Sequence, residues 1–462
     1  MADLFAILGS VSRALDAQRY GLDVAGQNIA NVNTPGYARR TLDLIALAPE
    51  APGTAGRGVD VVGVRALRDR LLEARVTYEM PAQTREAAMA EALSVVEASL
   101  GTPGGSIDAS LEQFFDSFAG LADMPTSASQ RDQVLIRGEG LAAAFRNMAG
   151  RLASARLDAD REARGTVDDV NALIERIAAL NVTIGGASSM ENSLHARDEQ
   201  FELVRQLSQL VDVNVLDREE GGVDIAIGNG QPVVVGQTSY TIDVQNSPPA
   251  GYAALSVGGV PVTGEISGGR LGGFLQVRDV NIPDYMSRLD ALAFAVADEV
   301  NALHAAGFDQ TGATGGNFFA FSSPLAGSAG AAAALILRPA VAADARLIAA
   351  GNSAAPGDNG AARALADLRQ ANVLNGGTAT LSDGWGQLVY RVARDTKSAA
   401  DERDSRAEIV RQIDALRDAV SGVSLDEEAM QLMKFQRAYE ANARFFQTID
   451  RTLEMLLSMS GR

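Results

Sequence analysis

The chain has 462 residues, more than one hydrophobic core usually supports, so two to four domains are expected. Its net charge of -18 is the opposite of the clustered Lys and Arg that a phosphate backbone requires, so nucleic acid is not an expected partner. Cysteine is absent, which removes disulfides, thiolate nucleophiles and cysteine-based metal sites together and leaves the redox compartment open.

The opening MADLFAILGSVSRALDAQ has an acid at Asp3, no basic lead-in and only five apolar residues in a row, so it does not read as a cleaved secretory signal. It reads as a helix. Leu4, Leu8, Val11, Leu15, Gln18, Leu22, Ala25, Ile29 and Val32 recur at alternating steps of four and three, the spacing of a seam along one side. The stretch NVNTPGYARR then stops it. Pro35 pushes Thr34 out of the helical region, Pro35-Gly36 suits the centre of a type II turn, and Thr34 is placed as the helix end. Extended stretches at 42–47 and 59–64 follow, joined by a Pro/Gly-rich loop.

From about 68 to 211 the pattern is helical. One helix ends at Gly101, the next begins at a Ser106 or Asp108 cap, a long one starts near 129, another covers 164–184, and SLHARDEQFELVRQLSQLVDV closes the block. Composition changes at 213–266 to β-branched runs broken by Gly and Pro, with Asn229-Gly230 as a hairpin turn signal. Helical spacing resumes near Pro283, where Met286, Leu289, Leu292, Phe294, Val296 and Val300 predict a largely buried helix. The uncharged run 310–337 is long enough to span a membrane but is diluted by Gly, Ser, Asn and Pro324, so membrane insertion is not expected. The Gly/Ala-rich region 310–385 carries no readable pattern.

Near the end, Ile409, Ile413, Leu416 and Val420 share a helical face that breaks at Ser421-Gly422. SLDE then matches a capping box built on Ser424 and Glu427. Beyond it Leu425, Leu432, Tyr439, Phe446 and Leu453 fall at seven-residue intervals, with Phe435, Ile449 and Leu456 between them and two polar interruptions, Glu428 and Asn442. At about 1.5 Å per residue the two terminal helices run roughly 40 and 50 Å, long enough to pair side by side. The fold class is therefore mainly α with an inserted small β domain, an α+β multidomain chain whose N- and C-terminal helices pair as a coiled-coil-like stalk. The expected division is 1–41 with 422–462 as the stalk, 42–211 with 272–421 as a helical middle domain, and 212–271 as the β domain.

Reagents for an enzyme are sparse. The two histidines, His195 and His304, stand alone without metal-ligand spacing, and a Ser-His-Asp set around His195 and Asp198 lacks the GxSxG turn. GTPGGS at 101–106 and GGRLGG at 268–273 match neither phosphate-binding pattern and read as turns, while Asp168-Asp169 and Glu219-Glu220 read as solvated charge beside helix ends or turns. No cofactor, metal or catalytic residue is expected.

NIANVNTPGYARR at 28–40 resembles the N-terminal signature of the axial proteins of the bacterial flagellum, the rod, hook and hook-associated family. SGVSLDEEAMQLMKFQRAYEANARFFQTIDRTLEMLLSM at 421–459 resembles its hook-associated members at the junction between hook and filament, and the internal stretches GRGVDVVGVRALRD, RDEQFELVRQLSQLVDVNV, VDIAIGNGQPVVVG and GGRLGGFLQVRD resemble them in the same order. That resemblance implies a self-assembling structural protein in the extracellular flagellum. It implies export without cleavage by the flagellar type III apparatus, escorted by an export chaperone. It further implies contact with copies of itself in a junction layer, with hook protein and with a second junction protein. The assembly residues it points to are Leu4, Leu8, Val11, Leu15, Leu22, Ile29, Asn31, Asn33, Pro35, Gly36, Tyr37 and Arg39 at one end. At the other they are Leu425, Leu432, Phe435, Tyr439, Phe446, Ile449, Leu453 and Leu456. Another axial protein, or a secreted hydrolase, is the competing reading.

Overall fold

The computed structural model describes residues 2–48, 56–101, 106–186, 190–219, 221–249 and 251–460. It is mainly helical with small antiparallel sheets, and the two ends of the chain form a pair of long helices, α1 (Ala2–Ala30) and α12 (Leu425–Ser460). Helix α1 stops at Ala30, four residues before the expected Thr34, because 31–36 already turn. The type II turn itself is present: Tyr37 N donates to Thr34 O at 3.2 Å and Gly36 has φ +77. Strands β1 (Arg40–Ala46) and β2 (Val59–Ala66) then pair as an antiparallel hairpin that runs back along α1. Arg13, near the middle of that helix, donates to Arg57 O.

The body is built on helix α4 (Ala128–Gly185), 58 residues without interruption, where two helices were expected. Gly150 and Gly165 are the only weak points of its middle. Each costs about 1 kcal/mol, too little to break a helix that buries Ala149, Leu152, Ala159, Ala163 and Val167 along both halves. Helices α2 (Arg70–Leu100) and α3 (Ile107–Asp123), capped by Ser106, pack on its first half. With them pack α7 (Ile282–Ala306), the short helices α8 (Ala331–Ala334), α9 (Pro339–Ala343) and α10 (Gly360–Asp367), and the start of α11 (Leu381–Ser421), around Phe114, Phe118, Phe145 and Phe318. Phe294 of α7 is not in that core: it is 37% exposed and stacks on Phe321 at the surface.

A second core lies on the other half of α4. There Val167, Val170, Ile174 and Ile177 meet α5 (Met190–Leu210), α6 (Gly269–Gln276) and two sheets. The sheets are β3 (Val213–Asp217), β4 (Val223–Ile227), β5 (Gln231–Val235) and β6 (Thr238–Ser239) in that order, and β7 (Ile242–Ser247), β8 (Tyr252–Val257) and β9 (Val260–Pro261). The β4–β5 hairpin is at the expected place, but its tip is Gly228-Asn229-Gly230, with positive φ on the two glycines rather than on an Asn-Gly pair. GGRLGG is a helix start, not a turn, because α6 lies so close to α2 that a Cβ on Gly273 would sit 2.5 Å from Arg85 O. Between the two cores Arg278, in a π turn, bonds Asp160 at 2.6 Å. Asp168 and Asp169 are exposed in the middle of α4, not at its end, and Glu219 is exposed; Glu220 lies outside the described residues, as do 102–105 of GTPGGS.

Ile409, Ile413, Leu416 and Val420 do not share a buried face. Val410 and Ile413 pack on Val76 and Met80 of α2, and the other three stay exposed, because the face turned to α2 runs through 410 and 413 rather than through 409, 416 and 420. The capping box at α12 is half formed. Ser424 Oγ accepts from Glu427 N at 3.5 Å, while the Glu427 carboxylate is drawn away to Arg39.

Candidate assembly interface

The terminal helices run antiparallel. A Cβ on Gly21 would lie 2.6 Å from the Phe435 ring, and seven residues further along α1 Asn28 meets Glu428, seven residues back along α12. At the free end Val11, Ile449 and Leu453 form a small buried cluster with Ile7, Leu8, Leu15 and Phe446 packed around it. Of the expected seam, Leu22, Ile29, Leu432 and Phe435 are half-buried, whereas Leu425, Tyr439 and Leu456 are exposed; the side chain of Leu4 lies outside the described residues. The reason is helical drift. A straight α-helix slides about 20° per heptad, so the buried line moves from Val11 and Leu15 to Gly21, Val24, Ala25 and Asn28. Small residues there let the helices approach closely.

The root of the pair is polar. Asn28, 1% exposed, donates from Nδ2 to Glu428 Oε2 and to Arg40 O, both at 2.9 Å. Its Oδ1 accepts from Arg40 N and from the Tyr37 hydroxyl. Arg39 donates to Glu428 and Glu427 at 2.7 and 2.6 Å, and its backbone N–H donates to Ser421 O, so the chain leaves and re-enters the stalk at one level. Burial, with Asp198 and Glu428 reinforcing it against Arg40, pushes the Tyr37 hydroxyl up to about 12, so it stays a neutral donor.

The clasp continues into the body. Arg40, 1% exposed, donates to Gln27, to His195 Nε2 and to Asp198, and lies 5.1 Å from the centre of the Tyr37 ring. Arg68 bonds Asp198 at 2.7 Å, Glu73 at 2.6 Å and Gly36 O. His195 and Asp198 are thus committed to arginines rather than to a serine. His304 is held between Gly316 O and Ala349 N inside the body. Among the described residues no group of three or more acidic or imidazole side chains is placed to hold a metal, and no helix is long and apolar enough to cross a membrane. Asn31 is half-buried and Asn33, Thr34 and Pro35 are exposed.

Sequence reasoning missed Asn28, Arg40, Arg68, Asp198 and Glu428 as partners. Glu428 was visible only as a flaw in an apolar repeat, and a charge at such a position is itself the signal that a buried polar partner awaits it.

Three family models match the chain. The flagellar hook-associated protein FlgK helical domain covers 93–319, the flagellar basal body rod FlgEFG protein C-terminal region covers 419–459, and the flagella basal body rod protein covers 10–37. Among relatives, flagellar hook-associated protein 1 of Bacillus subtilis is 27% identical over 508 residues, spanning 100% of this chain and 99% of the relative. The protein of the same name from Escherichia coli is 24% identical over 548 residues, spanning 98% and 100%. Among solved structures, the flagellar hook junction protein FlgK from Burkholderia pseudomallei aligns at a TM-score of 0.67 and 17% identity, covering 75% of this chain and 100% of that one, which establishes the shared fold.

Proposed function

The chain belongs to the flagellar hook-associated protein 1 family, and from that premise we propose that it is a structural, self-assembling protein forming the junction between hook and filament. The observation that carries the reading is the antiparallel pairing of the two chain ends on a root clasped to the body. A helix pair with so small a cluster of its own is marginal alone and gains most from neighbouring copies. In this reading the seam of Leu8, Val11, Leu15, Leu22 and Ile29 with Leu432, Phe435, Phe446, Ile449 and Leu453 holds the stalk. The exposed Leu425, Tyr439 and Leu456 meet adjacent subunits, and Asn31, Asn33, Pro35, Gly36, Tyr37 and Arg39 form the joint. Residues 1–41 with 422–462 act as the assembling domain, 42–211 with 272–421 as the helical body, and 212–271 as the β domain. Hook protein and the second junction protein are its neighbours, and a chaperone delivers it to the flagellar type III apparatus without cleavage. No catalytic role is assigned.

The test is deletion of the gene with immunogold labelling of a tagged copy. Cells should carry hooks without filaments, and the tag should mark one band at the distal end of the hook. Label along the entire hook, or intact filaments after deletion, would overturn the reading.

A further inference from the structure

We propose that Glu428 determines the register of the terminal helix pair, a reading that rests on the stalk being the assembling element. Apolar heptads do not distinguish a pairing from the same pairing slipped by seven residues, about 10 Å along the helix. If α12 slid one heptad toward the root, Ile449 would leave Leu8 for Leu15, Leu453 would face Val11, and the exposed Leu456 would gain Leu8 as a partner. The slip would require only that the first two turns of α12 unwind into the connection from α11.

Most of those two turns resist weakly. Leu425, Asp426, Glu427, Ala429 and Met430 are exposed, whereas Glu428 is 2% exposed with its carboxylate on Asn28 and Arg39. Asn28 cannot follow a sliding helix, because its amide is fixed on both backbone groups of Arg40 and on the Tyr37 hydroxyl. A slip therefore strips Glu428 of both partners and leaves Asn28 Nδ2 short of one. The opposite slip brings the carboxylate against Leu22. A buried polar pair inside an apolar seam acts as a registry device in this way.

The chain has no cysteine, so disulfide trapping on the full-length protein reads the register directly. Leu8→Cys with Ile449→Cys reports the observed pairing, and Leu15→Cys with Ile449→Cys reports the slipped one. With Glu428 present, the first pair should close at least tenfold faster than the second under mild oxidation. Glu428→Ala should reduce that ratio to within about twofold, and Glu428→Gln, which keeps an acceptor for Asn28, should restore it. A ratio unchanged by Glu428→Ala would overturn the proposal, as would equal closing of both pairs with Glu428 present. These outcomes are read on the monomer, whereas failure of the junction reading is read on cells as filaments that form without the protein.

Discussion

At Gly36 a single hydrogen stands where any other residue would carry a side chain. Its φ of +77 disfavours a Cβ, and one built there would lie 3.0 Å from both Asp198 O and the Glu202 Cβ. Gly36→Val should destabilise the root by about 1–3 kcal/mol, more than Gly36→Ala, and lower the urea midpoint of the stalk signal. Equal midpoints for wild type and both variants would remove the turn from the joint. His304 is a second residue whose environment has a measurable consequence. Burial, the leading cause, holds its pKa at about 4, against about 6.5 in the unfolded chain. The neutral ring is favoured by folding, so this stability is fully present above pH 6.5 and is lost as pH falls toward 4, up to about 3 kcal/mol. Thermal melts from pH 7.5 to 4.5 should fall more steeply for wild type than for His304→Gln; parallel curves would contradict the assignment. At this scale the sequence was least legible. A 400-residue separation hides the bond from Asn28 to Glu428: the break in the heptad marks Glu428 but does not say which residue is its partner.

Elements were read better, and the errors share a cause. The stops at Ala30 and Gly101 and the start at Ser106 follow from Pro, Gly and a capping side chain, which act locally, so they were legible to within a few residues. The continuity of α4 and the helical start at GGRLGG depend on what packs against them, which no local signal reports. The heptad of α12 was legible as a period, but its strict seven-residue line was not the contact line, because a straight pair drifts off it at Leu425 and Tyr439. That drift separates the residues by role. Phe446→Asp places a charge against Val11, Ile449 and Leu453 and should destabilise the stalk by about 1–3 kcal/mol, seen as lost helical signal at low urea. Tyr439→Asp, on an exposed position, should leave the monomer's transition within about 0.5 kcal/mol of wild type while filament attachment fails. Equal effects of the two on the monomer would mean that the contact line is not the one described.

At the scale of the molecule, two large cores share one helix, and the stalk shares neither. Asp160 and Arg278 join the cores at the middle of α4, so opening one strands a buried charge at the edge of the other and couples them. The stalk has its own cluster around Val11, Ile449 and Leu453 and meets the body through the clasp of Arg39, Arg40, Arg68 and Asp198. Stability should therefore be uneven, with the ends opening far below the free energy of the body. Limited proteolysis of a dilute monomer should cut first in the exposed 33–35 segment and after Ser421, not within α4. Trimming should stop before Arg40, whose guanidinium is buried on Asp198. The remaining fragment should melt within about 2 °C of the intact chain, because neither large core has lost a residue. The same sites should resist cleavage once the protein is assembled, since neighbouring copies then cover the stalk. Early cleavage inside α4, or a fragment that melts far below the intact chain, would show instead that the ends are part of the body's cooperative unit and that assembly must act on a stalk already rigid.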